Sequence, residues 1–357
     1  MTADTVGGVW TYALELSQAL GKQGIQVALA TMGAPLNREQ CETVAEVSGL
    51  EVFESTFKLE WMQEPWKEID LASTWLLELE ESLQPDIVHL NGYCHAALPW
   101  HAPTVVVGHS CVLSWWLAVR GQPAPGMWAT YRQRVTRGLR AAGAIIAPSK
   151  AMVATLNQHY GPVDVRVIPN GRDTSQFEPG DKEPMVLAIG RVWDEGKNIV
   201  ALEHVAPELP WPVYVAGERE HPDGGGREPE NVCYLGSLPV PTLAEWLGRA
   251  SIYALPARYE PFGLSVLEAG LCGCALVLGD IPSLRENWDD AAIFVSPNDT
   301  QALQEAIECL IADDARREAL GVCARARALQ FTPERMAASY VTLYSDLMAA
   351  NNLMIKN

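Results

Sequence analysis

Glu260 and Glu268 are separated by seven residues in the stretch 258–269, which runs R-Y-E-P-F-G-L-S-V-L-E-A. Pro261 and Gly263 suit a loop, whereas Leu264, Leu267, Glu268 and Leu271 recur at helical spacing. A helix starting near Leu264 would carry Glu268 one turn, ~6 Å, inside it and leave Glu260 just before it. The amides of Phe262, Gly263, Leu264 and Ser265 would then lie unpaired at a helix N-terminus, where the dipole also favours anions. Acceptors, donors and acceptors in that order suit a nucleotide sugar: one carboxylate on sugar hydroxyls, the amides on a diphosphate, the second carboxylate on ribose. A loop carboxylate followed by a solvated helix charge would show the same spacing.

The segment 190–198, G-R-V-W-D-E-G-K-N, directly follows the apolar run 185–189 and sets Arg191 and Lys197 at a strand end. A departing diphosphate gains negative charge, so fixed cations stabilise its transition state more than its ground state. The plainer alternative is that both cations pair with Asp194 or Glu195 on the surface. No D-x-D occurs in the chain, so no metal and no cofactor beyond the nucleotide-sugar co-substrate is expected.

Gly7 and Gly8 precede a stretch with Val9, Tyr12, Ala13, Leu16 and Leu20 at helical spacing. Such a turn lets backbone approach a phosphate or a sugar. His109, followed by Ser110, ends the apolar run 104–107, and His89 ends a similar one. Either histidine could equally make a structural hydrogen bond.

These residues need elements to hold them. Short Val/Ile/Leu-rich runs alternate with longer helical segments, the pattern of parallel sheets covered by helices on both faces. Strands are expected at 25–31, 86–90, 104–107, 144–147 and 165–168, then at 185–189, 213–216, 232–235, 252–255, 275–278 and 292–295. Ligands of open α/β sheets bind beyond the carboxyl ends of the strands, where the residues named above fall. The organisation expected is an α/β fold of two Rossmann-like domains facing across a cleft: 1–170, a breaker-rich linker at 171–184, and 185–332. A final helix at 333–357 carries Met336, Tyr340, Leu343, Tyr344 and Leu347 on one face and would return to the first domain. A buried strand should feed the Gly7 turn, and 1–3 supply only the tail of one, so the start reads as truncated.

At 357 residues the chain is long enough for two cores. Its net charge of −18 argues against nucleic acid as a partner. The eight cysteines lack zinc-site spacing and suit reduced thiols. No run is long and apolar enough for a membrane-spanning helix and no secretory signal is evident, which leads to a cytoplasmic expectation. The charge is uneven: Arg132, Arg134, Arg137 and Arg140 share a stretch in which Asp164 is the only carboxylate between Arg120 and Arg172. That face is either simply solvated or suited to anionic lipid headgroups at the inner membrane face or a phosphorylated acceptor. Trp115, Trp116, Arg120 and Trp128 lie where an acceptor is expected, although tryptophans also serve cores.

Together these segments resemble the retaining glycosyltransferases of family 4, whose two-domain fold is called GT-B. The resemblance rests on T-V-G-G-V-W-T-Y at 5–12, V-V-V-G-H-S at 105–110, A-P-S-K at 147–150 and V-I-P-N-G at 167–171. It continues through 190–198, through E-P-F-G-L-S-V-L-E at 260–268 and G-D-I-P-S-L-R-E at 279–286. It implies Glu260 on the transferred sugar, Glu268 on ribose, Arg191 and Lys197 on the diphosphate, and amides of Phe262, Gly263 and Leu264 on sugar and phosphate. His109 would act near the anomeric carbon, and Gly7 and Gly8 would form the glycine-rich loop beside it. It also implies metal-independent transfer with retention to a glycan, lipid-linked or small-molecule acceptor. A nucleotide-sugar epimerase of the same fold and a non-catalytic nucleotide-sugar-binding subunit are the competing expectations.

Overall fold

The structure, a computed structural model, describes residues 1–355; Lys356 and Asn357 of the expected final helix lie outside the described residues. The chain forms two compact units. One comprises Met1–Leu117, Gln122–Gly171 and the chain from Pro333 on, the other Ala118–Gly121 and Arg172–Thr332.

In the first unit, β1 (Thr2–Asp4), β2 (Val27–Met32) and β3 (Leu50–Glu54) form one parallel sheet in that order. β4 (Val88–Leu90), β5 (Thr104–Val107), β6 (Ala144–Ala147) and β7 (Val165–Val167) form a second. β1 has only three residues, and a side chain ties it to β4: Asn91 donates from Nδ2 to the Thr2 carbonyl at 2.8 Å, and its own amide donates to Thr2 Oγ1 at 2.9 Å.

Successive strand residues point to opposite faces, and both faces of β5 are buried. Val105 and Val107 pack with Tyr12, Leu16 and Leu20 of the helix Gly8–Gly21 and with Met336, Tyr340 and Leu343 of the helix Pro333–Ile355. Val106 faces Tyr131, Val135 and Leu139 of the helix Ala129–Ala141. The final helix therefore completes the first unit's core.

The second unit holds a six-stranded parallel sheet: β8 (Glu183–Ile189), β9 (Val213–Ala216), β10 (Cys233–Gly236), β11 (Ala250–Leu255), β12 (Ala275–Gly279) and β13 (Ala292–Val295). Their spatial order is β10-β9-β8-β11-β12-β13. Leu187, Tyr253, Leu255 and Leu276 face Val266, Leu267 and Trp288, while Val186, Ile252 and Val277 face Leu202, Ile307 and Leu310. Burying each such aliphatic side chain contributes ~1.5–3 kcal/mol.

β3 was not expected from the sequence: it is an edge strand whose Glu51 and Glu54 are exposed, so its apolar signal is diluted. The residues expected as a linker pack onto the second unit. Phe177 is fully buried, and the Lys182 ammonium donates to the carbonyls of Leu247, Ala250 and Cys272. Among the described residues, no helix is long and apolar enough to cross a membrane.

Candidate functional site

β8 ends at Ile189, and after Gly190 the chain turns through 191–198 before the helix Ile199–Val205. Asp194 builds this turn: its Oδ1 accepts from the Gly196 amide at 2.9 Å, its carbonyl from Lys197 at 2.9 Å, and its Oδ2 from Arg191 Nη2 at 2.8 Å. Asn198 holds the turn down from a left-handed conformation, φ 57°. Its Nδ2 donates to the carbonyls of Pro256 and Pro297, beyond β11 and β13. Gly196 adds the lateral link, its carbonyl accepting the amides of Arg258 at 2.8 Å and Tyr259 at 3.1 Å. The loops after β8 and β11 are thereby fixed edge to edge.

That link brings Lys197 and Glu260 together: Lys197 Nζ donates to Glu260 Oε2. Glu260 Oε1 accepts from the amides of Gly263 at 2.9 Å and Phe262 at 3.4 Å, and the Glu260 carbonyl accepts from Ser283 Oγ. The helix begins at Leu264, as the sequence suggested, with Gly263 in a left-handed conformation at its cap, φ 92°. Tyr253 Oη donates to Ser265 Oγ at 2.8 Å and so ties the first turn to β11.

One expectation is corrected here. The amides of Phe262 and Gly263 are not open, because the Glu260 carboxylate reaches back onto them. The amides of Leu264 and Ser265, in the first turn, have no partner within the helix.

Glu268 is not an open carboxylate either. Arg172 Nε donates to Glu268 Oε1 at 2.7 Å, in an ion pair whose side chains are 6% and 8% exposed, and the guanidinium lies 4.7 Å from the Phe177 ring centroid. The sequence had counted Arg172 only among basic residues; nothing in its spacing pointed to Glu268. Arg191 also stacks at 4.7 Å over Trp193, and its pairing with Asp194 is the arrangement the plainer alternative foresaw. Lys197 pairs instead with Glu260.

On the first unit, Gly7 caps the helix Gly8–Gly21 with φ 77°, and both glycines are exposed at that helix end. His109 is half-buried after β5, and its ring lies 4.4 Å from that of Tyr12, edge-on. Because Asn91 Nδ2 already donates to Thr2, Asn91 Oδ1 accepts from His109 Nε2, at 2.9 Å, which leaves Nδ1 as the unprotonated nitrogen. Burial lowers the His109 pKa to about 3, so the ring is neutral at physiological pH.

His89 has the structural role: its two nitrogens meet Tyr12 Oη at 3.3 Å and Tyr344 Oη at 2.6 Å inside the first unit's core. Trp115 and Trp116 pack against each other, with centroids 5.9 Å apart.

A cavity of about 80 Å3 beside His109 is bordered by Asp4, Glu60, Trp61, Asn91 and Ser110. Glu60 escaped the sequence analysis, since a lone carboxylate in L-E-W has no motif. Burial raises its pKa, against the amides of Tyr93 and Cys94, which donate to it at 3.2 and 2.8 Å. Among the described residues no group of three or more His, Cys, Asp or Glu side chains is gathered as a metal ion would require.

Comparison with known proteins bears on this geometry. The family model described as Glycosyltransferase Family 4 matches residues 6–176, and that described as Glycosyl transferases group 1 matches residues 183–313. A D-inositol 3-phosphate glycosyltransferase of Jonesia denitrificans is 24% identical over 396 residues, covering 95% of this chain and 91% of that protein. An alpha-maltose-1-phosphate synthase of Mycolicibacterium smegmatis is 29% identical over 252 residues, covering 59% of this chain and 65% of that one. Among solved structures, sucrose-phosphate synthase from Thermosynechococcus elongatus superimposes with a TM-score of 0.82 at 22% identity, covering 97% of this chain and 94% of that one. Anabaena HepE in complex with UDP-glucose gives 0.75 at 16% identity, covering 96% of each chain. At these identities the two structures speak to the fold alone.

Proposed function

The chain belongs to the family 4, group 1 glycosyltransferases and has their GT-B fold, and from that membership we propose that it transfers a sugar from a nucleotide diphosphate donor to an acceptor hydroxyl, without a metal ion and with retention of configuration. The observation that carries this reading is the convergence of Lys197, Glu260 and the helix start at Leu264 at the carboxyl ends of β8 and β11.

An ammonium has three protons. Lys197 gives one to Glu260 and keeps two for phosphate oxygens, while Glu260 holds it aimed. Arg191 gives one N–H to Asp194 and has four more in its fork. These two cations and the amides of Leu264 and Ser265 supply the positive field that a leaving diphosphate requires. Once displaced from the Phe262 and Gly263 amides, the Glu260 carboxylate is an acceptor for hydroxyls of the transferred sugar. Glu268, pre-oriented by Arg172, is assigned to the ribose.

For the chemical step we favour attack on the departing face. The bond from the anomeric carbon to the phosphate oxygen breaks with its electron pair going to the diphosphate. The acceptor oxygen bonds the same face of the oxocarbenium-like sugar, and its proton passes to the phosphate oxygen. No carboxylate nucleophile of the kind that retaining hydrolases use is needed. His109, neutral and aimed by Asn91, is assigned to hydroxyls beside the reacting carbon, Gly7 and Gly8 to close backbone approach, and Asp4 and Glu60 to acceptor hydroxyls.

The test is incubation with UDP-, GDP- and ADP-sugars plus candidate acceptors, with and without EDTA, followed by NMR of the product anomer. Acceptor-dependent product of unchanged configuration in EDTA is expected. Inversion would reject the front-face route, loss in EDTA would reject metal independence, and isomerised donor without transfer would reject the transferase reading.

A further inference from the structure

The helix Ala129–Ala141 borders a groove of about 750 Å3 in the first unit, on the side away from its core-facing residues Tyr131, Val135 and Leu139. Leu113, Ala124, Pro125 and Trp128 give it apolar walls, and Arg132, Arg137 and Arg140 line it from the helix. All three arginines are exposed, and none has an ion-pair partner among the described residues. Arg134 on the same helix differs: it pairs with Asp70 at 2.5 Å and stacks at 5.0 Å on Trp66. Trp128 adds a buried indole Nε1 with no acceptor among the described residues. Met127, in the preceding turn, is 74% exposed.

The surrounding charge is unusual for this chain. It carries 44 Asp and Glu residues, yet residues 87–163 contain none. A protein of net charge −18 thus keeps one region free of carboxylates and sets three unneutralised guanidinium groups against an apolar trough within it. At physiological ionic strength charges more than ~8 Å away are largely screened, so the local excess, not the net charge, sets what approaches this face.

We propose that this groove docks the protein on an anionic phospholipid surface. Arg132, Arg137 and Arg140 would take headgroup phosphates in the manner that suits a planar guanidinium. Met127 and the apolar walls meet the acyl boundary. The two attractions act together, as they do for amphipathic surface helices. The proposal is independent of the transfer chemistry, since none of these residues belongs to the Lys197–Glu260 site.

The experiment is co-sedimentation of the whole protein with phosphatidylcholine vesicles and with vesicles containing phosphatidylglycerol. It compares the native chain, the R132Q/R137Q/R140Q triple variant and Met127→Asp. Each basic side chain near an anionic surface contributes about 1 kcal/mol, or roughly fivefold, so the triple variant should bind the anionic vesicles on the order of a hundredfold more weakly. Binding of the native chain to anionic vesicles alone, lost in 0.5 M salt, is expected, with Met127→Asp intermediate. The triple variant should retain its thermal midpoint and its rate of donor hydrolysis in solution. Equal binding to both vesicle types, no binding to either, or an undiminished triple variant would each overturn the proposal. A thermal shift with inorganic phosphate, abolished in the triple variant without vesicle binding, would also overturn it by assigning the groove to a free phosphate.

Discussion

Asn91 links the short strand β1 to His109 through a single side chain: its Nδ2 donates to the Thr2 carbonyl at 2.8 Å, and its Oδ1 accepts the His109 Nε2 proton at 2.9 Å. One carboxamide therefore closes a gap between two sheets and fixes a tautomer. Replacing it by aspartate keeps the shape and adds a negative charge, which favours imidazolium. In Asn91→Asp the His109 titration followed by NMR should move up from about 3, and transfer at neutral pH should fall. An unmoved titration would mean that Asn91 does not set the ring's protonation.

Lys197→Ala and Glu260→Ala should each lower transfer by about 10²–10³-fold, the cost of losing one pre-aimed transition-state donor or its anchor. Circular dichroism should be unchanged. Undiminished turnover in both variants would remove the site from this part of the molecule.

The buried pair Arg172–Glu268 gives a prediction on stability. Arg172→Met strands a carboxylate and should cost about 3–5 kcal/mol in urea denaturation. The double change R172M/E268L should recover most of that loss, because a buried ion pair contributes little over apolar packing of similar size. It should still lack donor affinity, which a calorimetric titration with nucleoside diphosphate would show.

Acidification should destabilise the first unit through histidines buried in the neutral form. Burial lowers His95 to about 4 and holds His89 well below its usual value. The unfolded chain takes up these protons near pH 6.5 and the folded chain does so only at lower pH. Stability from each is thus present above about pH 6.5 and is lost as the pH falls towards the folded value, by up to ~1.4 kcal/mol per pH unit. Urea midpoints between pH 7 and 5 should show that slope, and His95→Gln should flatten it.

The strands were legible in the sequence where both faces are buried. β5, T-V-V-V, matches its expected limits residue for residue, as do β6 and β9. β3 was not, since an edge strand with exposed Glu51 and Glu54 has no continuous apolar run. The helix beginning at Leu264 could be placed from Gly263 and the spacing of Leu264, Leu267 and Leu271. Three features of the site depend on tertiary geometry that local spacing does not encode. Lys197 and Glu260, 63 residues apart, meet because the Gly196 carbonyl accepts two amides of the neighbouring loop. Arg172 reaches Glu268 across 96 residues. Glu60 lies in a tripeptide without a pattern and acquires its setting from the amides of Tyr93 and Cys94.

The Glu260 carboxylate resting on the Phe262 and Gly263 amides is a tethered competitor for the protein's own anion cradle. A stray orthophosphate must oust a rival that cannot diffuse away, with only one point of attachment of its own. A donor that also engages Lys197, Arg191 and the ribose side can manage that exchange. The arrangement should make free phosphate a far poorer inhibitor than nucleoside diphosphate, a ratio that steady-state competition measures directly; near-equal potency would show that the built-in rival confers no discrimination.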